Sequence, residues 1–381
     1  MTTSKSCRKI LLLLLLALTA VETSAGEPPD WPMFLGDPAH SAIAKSELSP
    51  PLKQLWSFDA EGAIYSSAAV SGKYVYFASL PGRVFALETA TGQPVWTFET
   101  DTEINSSPAV IKEKLYIGSK GGTLFCLDTR NGEVLWKIDT DGKITASPVI
   151  DRGIVYFASH DMNIYAARAK DGTILWKTRL PSKATASGIY STPAVTGNTL
   201  YVAEKAHTLY ALDTAGSKVL WQYATDSAVY SSPAVMNGLV YIGGYDRYLY
   251  AINAKTGKLQ WKSLLDEWIY STPVPYRGNI YVGSKDGIFT AFKGKDGQKL
   301  WSLDLRGTIS STMVISRQGI GYVGNEDGEI YALDLDKGII LWKEIVSGDG
   351  FHASPALSGN NLYMGTLNGY FIAWGKDGKN R

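Results

Sequence analysis

Residues Leu127 to Trp136 read L-D-T-R-N-G-E-V-L-W, and this phrase returns along the chain. Tryptophan closes it at Trp56, Trp96, Trp136, Trp176, Trp221, Trp261, Trp301 and Trp342, at spacings of 40, 40, 40, 45, 40, 40 and 41 residues. Between one Trp and the next lie four strand-like pieces. In the third unit they are residues 135–140, 146–150, 154–159 and 163–168, separated by the turn pairs Asp141-Gly142, Arg152-Gly153 and His160-Asp161. Short apolar runs bounded by Gly and Asp read as hairpins. Four strands repeated about every 40 residues are the signature of a propeller blade, WD-like in period.

The repeat fixes the count. Eight Trp strands meet eight sets of the other three. The first Trp strand, at Trp56, has no set before it, and the last set, residues 354–374, has no Trp strand after it. The expected fold is all-β: a single eight-bladed propeller of four-stranded antiparallel blades over residues 55–381. The Trp56 strand would complete the last blade and close the ring. A length of 381 residues by itself suggests two or three domains; the repeat replaces that with one ring.

Residues 1–25 precede this pattern. Lys5, Arg8 and Lys9 form a basic start, Leu11–Leu18 an apolar run, and Thr23-Ser24-Ala25 a cleavage site of small residues. The run is shorter than the ~20 residues needed to cross a bilayer, so it reads as a secretory signal peptide, with a retained anchor as the alternative. Cleavage removes three basic residues and Glu22. It leaves 34 basic and 35 acidic residues, a net −1, and that balance speaks against nucleic acid as a partner. Cys7 is lost too, so Cys126 stands alone and no intrachain disulfide forms. Because Cys7 precedes the apolar run, it is not a lipoprotein cysteine. The expected product is soluble, periplasmic or extracellular, without a membrane anchor, and monomeric. Residues 26–54 form a lead-in.

Two columns recur inside the blades. Small residues hold one: Ala86, Cys126, Ala166, Ala211, Ala251, Ala291, Ala332 and Ala373. This gives Cys126 a buried, structural role. The other is an S-S-P-A-V phrase, as at Ser106-Ser107-Pro108, which suits innermost strands around a wet channel. Its Pro should precede the strand proper. These serines repeat in every blade without an accompanying His and acid, so a hydrolase triad is rejected.

The position before the phrase varies: Tyr65, Asn105, Thr145, Tyr190, Tyr230, Tyr270, Ile309 and His352. These residues should ring one mouth of the channel. Tyr65, Tyr190, Tyr230, Tyr270 and His352 are the candidate binding residues. They either grip a partner peptide or flat ligand, or fill space between loops. The four His show no ligand spacing, and no D-x-D-x-D-G run offers calcium a loop. No metal site or catalytic residue is predicted.

The phrase Tyr250–Trp261, Y-A-I-N-A-K-T-G-K-L-Q-W, resembles the tryptophan-docking repeat of pyrroloquinoline-quinone (PQQ) type β-propellers, and Trp31–Ser41 resembles that family's lead-in. One branch, the quinoprotein alcohol and glucose dehydrogenases, would imply PQQ with calcium and a catalytic Asp, but no position here matches those residues. The other branch, the BamB family of outer-membrane assembly factors, shares the uniform blades. The stretch from Trp176 through Thr185 resembles the start of that family's long loop, which there helps hold a barrel-assembly partner. Arg179 and Lys183 are candidate contacts on that resemblance. The loop is shorter here and the lipoprotein cysteine is absent.

The expected function is therefore an exported, non-catalytic scaffold that binds another envelope protein, with no cofactor. The alternatives are a PQQ-dependent dehydrogenase of alcohols or sugars, and a propeller that binds a carbohydrate or other small ligand.

Overall fold

The structure is a computed structural model that describes residues 31–182, 188–215, 218–346 and 348–376. The signal-peptide reading of residues 1–25, with Cys7, lies outside them. Among the described residues, strands form eight four-stranded antiparallel sheets. Seven sheets run in chain order from inner to outer strand. The eighth takes its inner three strands from Ala356–Ser358, Asn361–Gly365 and Tyr370–Gly375, and its outer strand from Lys53–Asp59. Gln54 pairs with Trp374 and Asp59 with Tyr370, so the ring closes as the repeat count required.

The third blade follows the sequence reading, with strands Val149–Asp151, Ile154–Ala158, Asn163–Arg168 and Ile174–Arg179. The inner strand is shorter than the apolar run because Ala146, Ser147 and Pro148 precede the ladder. Proline has no N–H to donate there, and the strand begins just after it.

In every blade the Trp sits directly across from the small column. Trp96 pairs with Ala86, Trp136 with Cys126, and Trp56 with Ala373 across the closure. The small side chain leaves room for the indole, which reaches into the next blade. There it covers a turn glycine: a Cβ at Gly92 would stand 2.6 Å from the Trp56 ring, and one at Gly132 2.7 Å from Trp96. Both glycines have positive φ, which glycine alone adopts freely. The indole N–H then donates to a carbonyl of that next blade. Trp56 reaches Thr89, Trp96 Thr129, Trp176 Thr214, Trp221 Ala254 and Trp261 Gly294, at 2.8–3.0 Å. Each of these five Trp thus belongs to one blade and docks on its neighbour.

Cys126 is buried and free, and burial pushes its thiol up to about 12. This fits the structural reading, since the reactive form of a cysteine is the thiolate. No helix among the described residues is long and apolar enough to cross a membrane.

The lead-in is built into the ring. Trp31 exchanges backbone hydrogen bonds with Val70 of the first blade. Pro32 O accepts from Val110 N of the second blade, Pro38 O from Val195 N of the fourth, and Ala39 O from Val235 N of the fifth. Ala44 N donates to Ile315 O of the seventh. The segment therefore crosses the ring on the face opposite the varied-residue positions. Leu35, His40 and Ala42 adopt positive φ as it turns. His40 is fully buried, and its Nδ1–H donates to Pro233 O at 2.7 Å.

Candidate functional site: a closed well under an aromatic mouth

Hydroxyls line the axis. In seven of the eight blades the second hydroxyl of the repeated serine phrase accepts the backbone N–H of the matching residue one blade earlier. Ser67 N donates to Ser107 Oγ, Ser107 N to Ser147 Oγ, Ser147 N to Thr192 Oγ1, and Thr192 N to Ser232 Oγ. Thr272 N donates to Thr312 Oγ1, Thr312 N to Ser354 Oγ, and Ser354 N returns to Ser67 Oγ. The seven bonds measure 2.9–3.2 Å and clasp blade to blade around the ring. The first serine acts within its own blade: Ser66 Oγ accepts Ala78 N at 2.7 Å and donates to Ala78 O at 2.8 Å. These bonds give the serines the structural role that their repetition indicated.

The lead-in closes one end of this channel. Phe34 forms the floor, set edge-on to His40 with ring centroids 5.4 Å apart. The result is a well of about 360 Å³ with Phe34 at one end and the varied-residue mouth at the other. The sequence reading expected a wet channel and placed nothing at its lower end. No repeat marks the lead-in, so nothing in the pattern signalled that it would form the floor.

The predicted rim residues do converge. Tyr65 meets His352 at 5.0 Å between centroids, His352 meets Tyr270 at 5.2 Å, Tyr270 stacks on Tyr230 at 5.8 Å, and Tyr230 meets Tyr190 at 5.3 Å. His160, which lay outside the predicted set, extends the arc against Tyr190 at 4.2 Å. The six rings are half-buried and contiguous. The seventh blade requires a correction: Ile309 is fully buried, and Ser310 holds the rim position. Thr312 and Met313 stand there where other blades carry Ser-Pro, so the serine pair was read one residue out of register. Because Ser310 is small, His352 reaches past it to Tyr270.

Blades two and three leave the arc open. They contribute Asn105 and Thr145, with Lys120 and Lys143 beside them. Lys120 pairs with Glu103. Thr145 Oγ1 bonds His160 Nε2 at 2.8 Å. Asn105 Oδ1 is buried with no hydrogen-bond partner. Burial, with Lys143 and Lys205 nearby, lowers His160 to about 4, and burial also lowers His352. Both imidazoles are therefore neutral at pH 7. Burial raises Tyr270 to about 12. Lys205 lies over Tyr190 and Tyr230 at 5.6 and 5.5 Å from their centroids, a cation–π clamp on the mouth.

Arg179 does not join the site. It is exposed at the end of an outer strand and donates to Asp161 O at 3.1 Å. Lys183 lies outside the described residues. Among the described residues, no group of three or more His, Cys, Asp or Glu could hold a metal ion.

Comparison with known proteins places this architecture. The family profile described as "Beta-alanine-activating enzyme, beta-propeller" matches residues 49–279. A second, described as "Outer membrane protein assembly factor BamB", matches residues 224–381. Among solved structures, BamB from Moraxella catarrhalis superposes with a TM-score of 0.72 at 19% identity, covering 87% of this chain and all of that one. A europium-containing methanol dehydrogenase gives 0.77 at 13% identity, covering 92% and 98% of the two chains. The quinohemoprotein alcohol dehydrogenase of Comamonas testosteroni gives 0.77 at 14%, covering 93% and 81%. At these identities the likeness is one of fold. No curated protein sequence matches the chain.

Proposed function

Because the chain belongs to the β-propeller family described for the beta-alanine-activating enzyme, and is a PQQ-type repeat ring resembling BamB, we propose that it is an exported, non-catalytic scaffold that binds another envelope protein. The contiguous aromatic arc at the mouth carries this reading. Half-exposed Tyr side chains on a rigid ring supply large contact area at low entropic cost. The Trp docking and the hydroxyl clasp hold the ring in one shape, so the arc is presented already ordered.

The quinoprotein dehydrogenase reading fits the lining poorly. PQQ in those enzymes works beside calcium, and calcium takes carboxylate and carbonyl oxygens. The well is lined by Ser, Thr, Asn, Lys, His and aromatic residues, with no Asp or Glu. This donor set supports a scaffold that works without the quinone.

The test is capture from an envelope extract by the native protein and by the triple variant Tyr190→Ala, Tyr230→Ala, Tyr270→Ala. The native ring should retain a specific protein that the variant releases. Equal capture by both, or none by the native ring beside a working control, would sink the proposal. In parallel, reconstitution with PQQ and calcium should give no dye-linked oxidation of alcohols or sugars. Turnover would install the dehydrogenase reading in its place.

A further inference from the structure

The hydroxyls at the base of the well have spent only part of their hydrogen-bonding capacity. A serine hydroxyl offers one donor and two lone pairs. In the clasp, each bonded Oγ accepts a backbone N–H, and no O–H of this ring donates to another protein atom among the described bonds. The ring therefore presents several free O–H donors to one enclosed space. The charged side chains lining that space are Lys120 and Lys143, with no carboxylate among them. Lys120 is paired with Glu103, which also attracts Lys143, whereas Lys143 makes no ion pair of its own among the described residues. Asn105 Oδ1 adds one buried acceptor without a donor. Aromatic faces supply the rest: Phe34 below, Tyr190, Tyr230 and Tyr270 to one side.

Each feature constrains the occupant. Converging donors and the ammonium of Lys143 select an anion. The aromatic wall and floor select a ring with a flat or C–H face. The orphan acceptor selects a hydroxyl on that ring. A volume of about 360 Å³ lies near the lower end of the ~300–1,000 Å³ range of ligand pockets, which limits the occupant to one or two rings. We propose that the well binds a small hydroxylated ring carboxylate, with its carboxylate toward Lys143 and the O–H ring, and its ring face against the tyrosines. The O–H ring lies below the rim, and the tyrosine wall is shared with the protein-partner reading.

Two sources share this chemistry, a uronic acid and a hydroxylated aromatic acid. Calorimetry on the whole protein should use galacturonate and 4-hydroxybenzoate, each against its neutral counterpart, galactose or phenol. At least one acid should bind ten-fold or more tightly than its neutral partner, and the pair that does so identifies the ring type. Lys143→Gln should erase that preference. Lys143 is exposed, so the variant should melt with the native protein. Equal binding of acid and neutral partner, no heat from any probe at millimolar concentration, or an acid preference that survives Lys143→Gln would each overturn the proposal.

Discussion

At the scale of single residues, two glycines separate backbone strain from ring contact. Gly72 and Gly92 both have positive φ, at 56° and 70°. A Cβ at Gly72 would meet nothing within 4 Å, whereas one at Gly92 would strike the Trp56 indole at 2.6 Å. Gly72→Ala should therefore cost only the left-handed backbone penalty, about 1 kcal/mol. Gly92→Ala should add the displacement of a docked indole, roughly another 1–3 kcal/mol. Urea denaturation of both variants measures the difference. Equal losses would mean that the indole is not held against the turn. Gly92 stands in the repeated phrase, at the place that Gly132 holds in L-D-T-R-N-G-E-V-L-W. Its role as a platform for the preceding blade's Trp was not legible there, because the two residues are 36 positions apart and no local rule joins them.

At the scale of the element, the lead-in is where sequence reading stopped short. The Trp column, the small column and the hydroxyl column were readable because each recurs eight times with a fixed period. Residues 31–52 occur once. They attach through backbone amides and carbonyls of several blades, and such groups carry no side-chain signature. His160 was missed for a related reason: it reaches the rim from a turn 15 residues beyond Thr145, to which it bonds. The five rim residues expected from the sequence stand in contact with one another, and Arg179 is exposed away from them. The lead-in also makes the fold sensitive to acid. Burial lowers His40 from 6.5 to about 4, and its Nε2 has no partner. Below pH 6.5 the unfolded chain takes up a proton that the folded chain refuses, so stability is lost as pH falls from 6.5 toward 4. The full difference is about 3 kcal/mol. Asparagine tolerates the φ of 60° at this position and does not titrate. His40→Asn should therefore lose less stability than the native protein between pH 7 and pH 4.5 in paired denaturation curves. Parallel loss in the two proteins would show that the floor histidine does not control it.

At the scale of the whole molecule, the ring depends on one seam. Seven blades are continuous in chain, but the eighth is completed by Lys53–Asp59, and Trp56 spans the junction. Its ring contacts Tyr363 and Phe371 of the eighth blade at 5.9 and 6.1 Å, covers Gly92 of the first, and donates to Thr89 O there. Trp136 holds the same repeat position in a blade whose four strands are continuous in chain. Its Nε1 has no partner, and the carbonyl it would reach by analogy, Ala169 O, accepts Tyr116 Oη at 2.7 Å. Removing either indole should cost roughly 3–5 kcal/mol by lost burial. The consequences should differ in extent. Trp136→Ala leaves both neighbours covalently tethered, so hydrogen exchange should rise mainly in the second and third blades. Trp56→Ala also loosens the seam inside the eighth blade, where Lys53–Asp59 is held to Tyr370–Gly375 by non-covalent contacts alone. Exchange should then rise in the eighth and first blades together and reach the lead-in through Trp31 and Val70, which are bonded to each other beside the seam. The well should lose its floor in the same step, because Phe34 belongs to that lead-in. An exchange pattern equally local in the two variants would mean that the ring is held by all its junctions alike and that the closing strand has no special place in it.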